Sequence, residues 1–493
     1  MQTLPQKTQS YSRQDWQNGY ESQPQEIDYW VEEITGAIPP ELQGTLFRNG
    51  PGLMDINGER FHHPFDGDGM ICAFTFDQGQ VHFRNRYIRT EGYLKEQAEG
   101  KICYRGVFGT QKAGGWLGNL FDLQLKNIAN TNVIYWGDRL LALWEAALPH
   151  RLQPETLETI GLDDWDGILK TSGAFSAHPR VDPYSELDGG QPCLVNFALD
   201  AGPISKLHLY EFDPQGKLLR QQVQPIPGFA FIHDFAITPH YYLFFQNPIA
   251  FNPFPFLFGF KGAAQCISFQ ENEPTKIVII PRDQSSGEPM RTIPVQAGFV
   301  FHHANAWENP DGTLGLESIC YDSFPEVEPD ADFRETKFET LAPSLLWRFT
   351  IDPQAQTVER EQRDRRAVEF PTLHPQWAGR PHRYCYLAAA DQVGENAPLQ
   401  GLIKFDNQTG EQEFYSFAPR GFASEPVFVP RGAGEAEGWV MVLVYNAERH
   451  ASDLAIFDAA KIAAGPVATV HLKLHIPYGL HGNWTPETFL ATA

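Results

Sequence analysis

Four histidines stand in settings that ask for a chemical explanation. His178 lies in Phe175-Ser176-Ala177-His178-Pro179-Arg180 and His233 in Phe231-Ile232-His233-Asp234-Phe235. His302 lies in Phe301-His302-His303-Ala304-Asn305-Ala306, and His481 in Leu480-His481-Gly482-Asn483-Trp484. Three of the four are embedded in apolar or aromatic runs, where each ring nitrogen needs a partner. The chain has 16 histidines, and a lone histidine is more often structural than a ligand. The four are 55, 69 and 179 residues apart along the chain. Four imidazoles meeting at one point, with no cysteine nearby, would suit a divalent first-row metal. Spacing alone leaves open whether they meet. Glu145 and Glu425 also sit inside apolar sequence, where an unpaired carboxylate is costly, so each calls for a partner.

The elements that would have to bring these residues together read as short strands. A β-like run ends in Asp, a turn follows, and a second run begins. Examples are Ala73–Asp77 with Gly79 before Val81, and Leu207–Asp213 with Gly216 before Lys217. Trp347–Asp352, Leu402–Asp406 with Gly410, and Leu454–Asp458 continue the series. Asp and Gly in such turns are hairpin chemistry. Hairpins spread over the whole chain point to radial repetition, an all-β propeller with long insertions. Inner strands of a propeller converge on its axis, so histidines on different blades could face one another. Helical candidates are few, and Pro154–Ile160 and Trp116–Ile128 are the best of them. No low-complexity linker divides the chain, so residues 1–493 read as one domain with a flexible arm over 1–25.

Composition agrees with this. The chain has 493 residues, 42% hydrophobic, enough for a large core, and 42 Gly and 38 Pro suit many turns. The net charge of −23 argues against a nucleic-acid binder, which needs a basic face. The six cysteines include no C-x-x-C pair, which argues against a disulfide framework and for a reducing, cytoplasmic compartment. The first thirty residues are polar and carry no signal peptide. Phe235–Phe260 contains no charged residue, but its four prolines rule out a spanning helix. It reads as a strand, Phe235–Phe245, followed by an apolar loop. The loop at 251–260, with Trp116, Leu117, Leu120 and Phe121 on one helical face, is expected to touch a membrane surface or guard an apolar tunnel.

Taken together, several segments resemble the carotenoid cleavage oxygenases, nearest to their cyanobacterial apocarotenoid 15,15'-oxygenase subfamily. They are Arg48-Asn49-Gly50-Pro51-Gly52, Phe65-Asp66-Gly67-Asp68-Gly69-Met70, Asn127–Asn132, Leu143-Trp144-Glu145, the four histidine segments and Ser424–Pro430. They run in the expected order from about Trp16 to Trp484. The resemblance implies a seven-bladed β-propeller with helices and loops capping one face. It implies an Fe(2+) held on the axis by His178, His233, His302 and His481. His303 would then point to the opposite strand face. Glu145, Glu369 and Glu425 would accept the outer N–H of the imidazoles, fixing tautomer and ring direction. Thr131 would crowd one of the two remaining coordination positions. Phe65, Phe108, Trp144, Phe231, Phe301 and Tyr321 would wall the substrate path.

The implied reaction cuts the 15,15' double bond of an apocarotenoid with O2, giving retinal and a second carbonyl product. The nearest rival is the same machinery acting on another polyene bond or a stilbene. A non-catalytic carotenoid-binding propeller and a calcium-dependent hydrolase are further alternatives, the latter disfavoured because His rather than Asp and Asn cluster here. No obligate protein partner is implied. Asp283–Met290 and Asp322–Ala342 match nothing in these motifs.

Overall fold

The computed structural model describes residues 11–324, 332–338 and 341–491. Its strands form seven antiparallel blades around one axis. The turn grammar places the hairpins. Asp77 pairs with Gln80 across Gln78-Gly79, both at positive φ, so the strands Asp68–Asp77 and Gln80–Tyr87 run back on one another. Leu218–Pro227, Thr357–Gln362 and Gln412–Ser416 return in the same way onto the strands before them.

Each blade has one innermost strand. In blade one it is Gly482–Thr485, in blade two Asn132–Trp136, in blade three Arg180–Ser185 and in blade four Phe235–Ile237. Phe299–Glu308, Val368–Thr372 and Gly421–Pro430 are innermost in blades five, six and seven. Two blades are composites of distant sequence. Blade one joins Gly482–Thr485 to Gly44–Leu53, and blade seven takes Ile34–Gly36 as its outer strand, paired with Ala468–His471. Neighbouring blades bury apolar faces on one another, as where Phe245, Ile277 and Ile279 of blade four meet Leu316, Phe349 and Ile351 of blade five. A buried ion-pair network pins blade three to blade four. Arg282 reaches Asp182 at 2.7 Å and Glu211 at 2.9 Å.

Several local expectations need correction. Pro154–Ile160 is not a helix but a hairpin turn. Leu157 sits at φ 60° with its side chain buried, and the next strand is Thr159–Leu162. Tertiary burial of Leu157 overrides the helical reading. The second candidate is helical only where it overlaps the helix Gly115–Asn119, because Leu120 turns to extended backbone and Phe121 then takes a positive φ. Phe235–Phe245 is two strands, Phe235–Ile237 and Tyr241–Gln246, separated by a turn at Pro239, and the apolar loop contains a short helix, Pro253–Leu257. The arm is packed from residue 11 onward. Trp16, in the helix Arg13–Asn18, is buried against Tyr20, Phe333 and Phe338. Residues 1–10 lie outside the described residues. Asp283–Met290 forms a capped turn, with Asp283 accepting from the Ser285 amide. Asp322–Ala342 lies partly outside the described residues.

Candidate metal centre

His178 and His233 lie immediately before the innermost strands of blades three and four, and His481 immediately before that of blade one. His302 is within that of blade five. One nitrogen from each of these four histidines falls in a single group whose members all lie within 4.8 Å of one another. Ring centroids confirm the convergence, with His178 at 4.2 Å from His233, 4.5 Å from His481 and 5.3 Å from His302.

Three carboxylates stand behind them. Glu145 accepts from His233 Nδ1 at 2.9 Å, Glu369 from His302 Nδ1 at 2.5 Å and Glu425 from His481 Nδ1 at 2.8 Å. Each contact turns the outer nitrogen into the N–H and aims the Nε2 lone pair inward. Sheet irregularities help aim these side chains, because the register shifts beside His302, after Glu369 and across Glu425. Burial would raise the three carboxyls, but the hydrogen bonds and charge of the neighbouring histidines outweigh it and hold all three below the ordinary carboxylate range. Burial, reinforced by the neighbouring imidazoles, holds His178 well below its ordinary value. A neutral imidazole keeps a lone pair for a metal.

The donor set fits a cation. His302 Nε2 is buried with no hydrogen-bond partner. His178 Nε2 and His233 Nε2 face each other at 2.9 Å. His233 has its N–H on the Glu145 side, so its inward nitrogen is a lone pair, and a positive ion shared with His178 would satisfy both.

Each carboxylate has a further holder, a role the sequence reading gave to none of these residues. Arg48 donates to Glu425 Oε2 at 2.5 Å, and the Gly482 amide donates to the same oxygen at 2.8 Å. A Cβ on Gly482 would meet the Phe47 carbonyl oxygen at 2.4 Å, so glycine is needed where the chain comes this close. Tyr321 donates its hydroxyl to Glu369 Oε1 at 2.6 Å. Thr131 places its hydroxyl 3.3 Å from Glu145 Oε2 and 3.2 Å from Asn130 Oδ1. The Arg48-Asn49-Gly50 motif is thus a clamp. Asn49 follows Arg48 and donates to the carbonyls of Ala129 and Asn132, both at 2.8 Å.

The six aromatic candidates fall into separate places. Phe301 is at the centre, 5.5 Å from the His233 ring, with Tyr321 5.6 Å beyond it. Phe231 packs one step out, against Phe299 and Phe324. Phe65 and Phe108 form a second cluster around His63, which Phe333 also touches. Trp144 is buried beside a small cavity lined by Asp66, Lys126 and Ile128. Phe370 escaped the sequence reading. Its ring lies 5.5 Å from His302 and 5.4 Å from His481, and its φ is 55°. The signal was its place directly after Glu369, which only a positive φ could turn toward the axis.

The fold and sequence have close relatives among known proteins. The family model for retinal pigment epithelial membrane protein (RPE65) matches residues 20–486. The apocarotenoid-15,15'-oxygenase of Synechocystis sp. is 58% identical over 96% of this chain and 97% of its own length. The crystal structure of cobalt-substituted Synechocystis ACO superposes with a TM-score of 0.95 at 57% identity, covering 97% of this chain and all of that one. The resveratrol cleavage oxygenase 1 of Botryotinia fuckeliana is 29% identical over 92% of this chain and 82% of its own. The chain belongs to the RPE65 family, the carotenoid cleavage oxygenases.

Proposed function

We propose that this protein is an iron-dependent apocarotenoid oxygenase that cuts the 15,15' double bond of a substrate such as β-apo-8'-carotenal, giving retinal and a second carbonyl product. The observation that carries the reading is the convergence of four imidazoles within 4.8 Å, three of them backed by carboxylates. The 58% identity to an apocarotenoid-15,15'-oxygenase supports the substrate class and the bond.

His178, His233, His302 and His481 would hold the iron, with Glu145, Glu369 and Glu425 fixing the tautomers of His233, His302 and His481. When bound, Fe(II) supplies the activation of O2. The chain supplies the rest. Thr131, beside Glu145, would limit access to the bound ion. Phe301 and Phe370 flank the histidines with π faces that hold an apolar chain at one bond and keep water out. Phe65, Phe108, Trp144, Phe231 and Tyr321 extend these walls outward.

The substrate enters from a membrane surface. Leu117, Phe121, Leu123, Phe254 and Phe260 are each about 60% exposed or more, and Trp116 and Phe258 are also exposed. The two apolar segments lie together, with Trp116 5.7 Å from Phe260 and Phe121 5.9 Å from Phe258. Among the described residues no helix is long and apolar enough to cross a membrane. On this reading the contact is peripheral, made by exposed aromatic and leucine side chains at the interface.

The test is aerobic turnover of Fe(II)-loaded protein with β-apo-8'-carotenal in mild detergent, with products separated by chromatography. Retinal is the expected product. A product of another chain length would move the bond, and no product with iron demonstrably bound would refute the substrate assignment.

A further inference from the structure

Below the histidines, a second set of contacts joins the strands that carry them. The residues involved follow the histidines directly in sequence. Arg180 is two after His178, Asp234 one after His233, and His303 one after His302. Arg180 donates from Nε to the Phe235 carbonyl at 2.9 Å, and from one terminal nitrogen to the His303 carbonyl at 2.8 Å and to Asp234 Oδ2. Asp234 Oδ2 also accepts the His303 amide at 2.8 Å, and Oδ1 accepts the Phe235 amide at 2.7 Å. Asp234 is buried, with its side chain 1% exposed. His303 turns its ring onto Phe245 and hydrogen-bonds Ser318 at 2.7 Å, so only its backbone joins this belt.

The fourth histidine is held differently. His481 is fixed through Glu425, Arg48 and the Gly482 amide, with Arg48 also 3.3 Å from the Leu480 carbonyl. The hydrogen bonds described for Arg180 and Asp234 reach none of that set. The histidines therefore divide into a rigid unit of three and a separately delivered fourth.

We propose that Arg180 and Asp234 are positioning residues for the metal centre, setting the mutual geometry of His178, His233 and His302 from the layer beneath them. The inference rests on the metal-centre reading above. It follows from the chemistry of the belt. Oδ2 of Asp234 accepts from two donors at once, and a guanidinium is the one side chain whose fork reaches two carbonyls and a carboxylate together. Asp234→Asn sets an amide against those donors or leaves one of them unpaired. Arg180→Lys keeps the charge but loses the fork.

The experiment uses full-length protein with Co(II) as the probe. It compares the visible d–d spectrum, the Co(II) dissociation constant and the apoprotein Tm for wild type, Asp234→Asn and Arg180→Lys. Arg139→Gln, which breaks the Arg139–Asp163 pair in blade two, controls for loss of a partly buried ion pair elsewhere. The expected result is a shifted Co(II) spectrum and about 10- to 100-fold weaker binding for Asp234→Asn, the range for residues that orient ligands. Arg180→Lys should give a smaller change of the same kind, and Arg139→Gln should lower Tm with the wild-type spectrum. If Asp234→Asn does not fold, Arg180→Lys carries the comparison. Wild-type spectra and affinities in both belt variants would overturn the proposal. Failure of wild-type protein to bind Co(II) stoichiometrically would instead refute the metal-centre reading itself.

Discussion

Replacing Tyr321 by Phe separates two roles that one side chain could play. The ring stands 5.6 Å from Phe301, as a wall residue would, while the hydroxyl donates to Glu369 Oε1 at 2.6 Å. Phe keeps the ring and removes only the hydroxyl. The other oxygen of Glu369 accepts from His302 Nδ1 at 2.5 Å and the Phe370 amide at 2.7 Å. The substitution takes from Oε1 of a buried carboxylate the hydroxyl that donates to it. A hydrogen bond to a charged group is worth about 1.5–3 kcal/mol. At about 1.4 kcal/mol per tenfold, that is roughly 10- to 100-fold in metal affinity if the loss passes through His302.

The substitution also moves a pH limit. Burial raises Glu369, but His302, Tyr321 and the Phe370 amide together hold it below the ordinary carboxylate range. Its stabilising contribution is present above the ordinary carboxylate value, near 4.3, and is lost as pH falls through the lower folded value. Without the hydroxyl the folded value rises, so the acid loss of bound metal should begin at higher pH than in wild type. The assay is a metal titration at stepped pH, paired with kcat and KM for β-apo-8'-carotenal. The expected pattern is weaker metal binding and lower kcat with KM little changed. Unchanged affinity and turnover, or a change confined to KM, would refute the hydrogen-bond role and return Tyr321 to the wall.

Other outcomes follow from contacts already described. Replacing His178, His233, His302 or His481 by Ala should abolish stoichiometric metal binding and cleavage, read by metal analysis and turnover; wild-type turnover in any of them would refute the ligand set. Arg282→Met strips the charge from between Asp182 and Glu211, whose carboxyls burial raises but Arg282 holds low. It should cost about 3–5 kcal/mol in urea unfolding at neutral pH. The difference from wild type should shrink as pH falls, because without Arg282 the buried carboxyls take up protons while those of wild type are still ionised; a pH-independent difference would contradict the network. Arg105 is buried and donates to the carbonyls of Asn119, Asp122 and Lys261, with Phe256 4.0 Å from its guanidinium, so it ties the two apolar segments together. Arg105→Gln should weaken binding to phosphatidylcholine vesicles in a flotation assay while leaving turnover in detergent near wild type.

Much of this centre was legible because its chemistry is at odds with its surroundings. Glu145 and Glu425 in apolar runs demanded partners, and they have His233 and His481. The Asp-Gly turns marked hairpins because that geometry needs positive φ. What pattern could not give was which strands lie side by side. Glu145 comes from blade two yet reaches His233 of blade four, past the blade between them. Arg180 and Asp234 were given no role in the sequence, because their contacts exist only once three strands are brought together around them. Phe370 depends on a backbone conformation rare for its residue type. Leu157 looked like part of a helix because periodicity over seven residues cannot tell a turn of helix from a tight hairpin with one buried side chain.

The composite first blade has a consequence for how the protein acquires its metal. His481 sits at the head of a strand that pairs with Gly44–Leu53, and Arg48 in that strand holds Glu425 from 377 residues away. A growing chain presents three histidines long before the fourth exists, and those three cannot be clamped by a ring that is still open. Closing the ring and completing the donor set are the same event. Metal that binds only the closed ring works as a thermodynamic latch, adding about 2.7 kcal/mol at a free concentration 100 times its dissociation constant. Metal supply would then govern how long each molecule stays shut, as well as how fast it turns over.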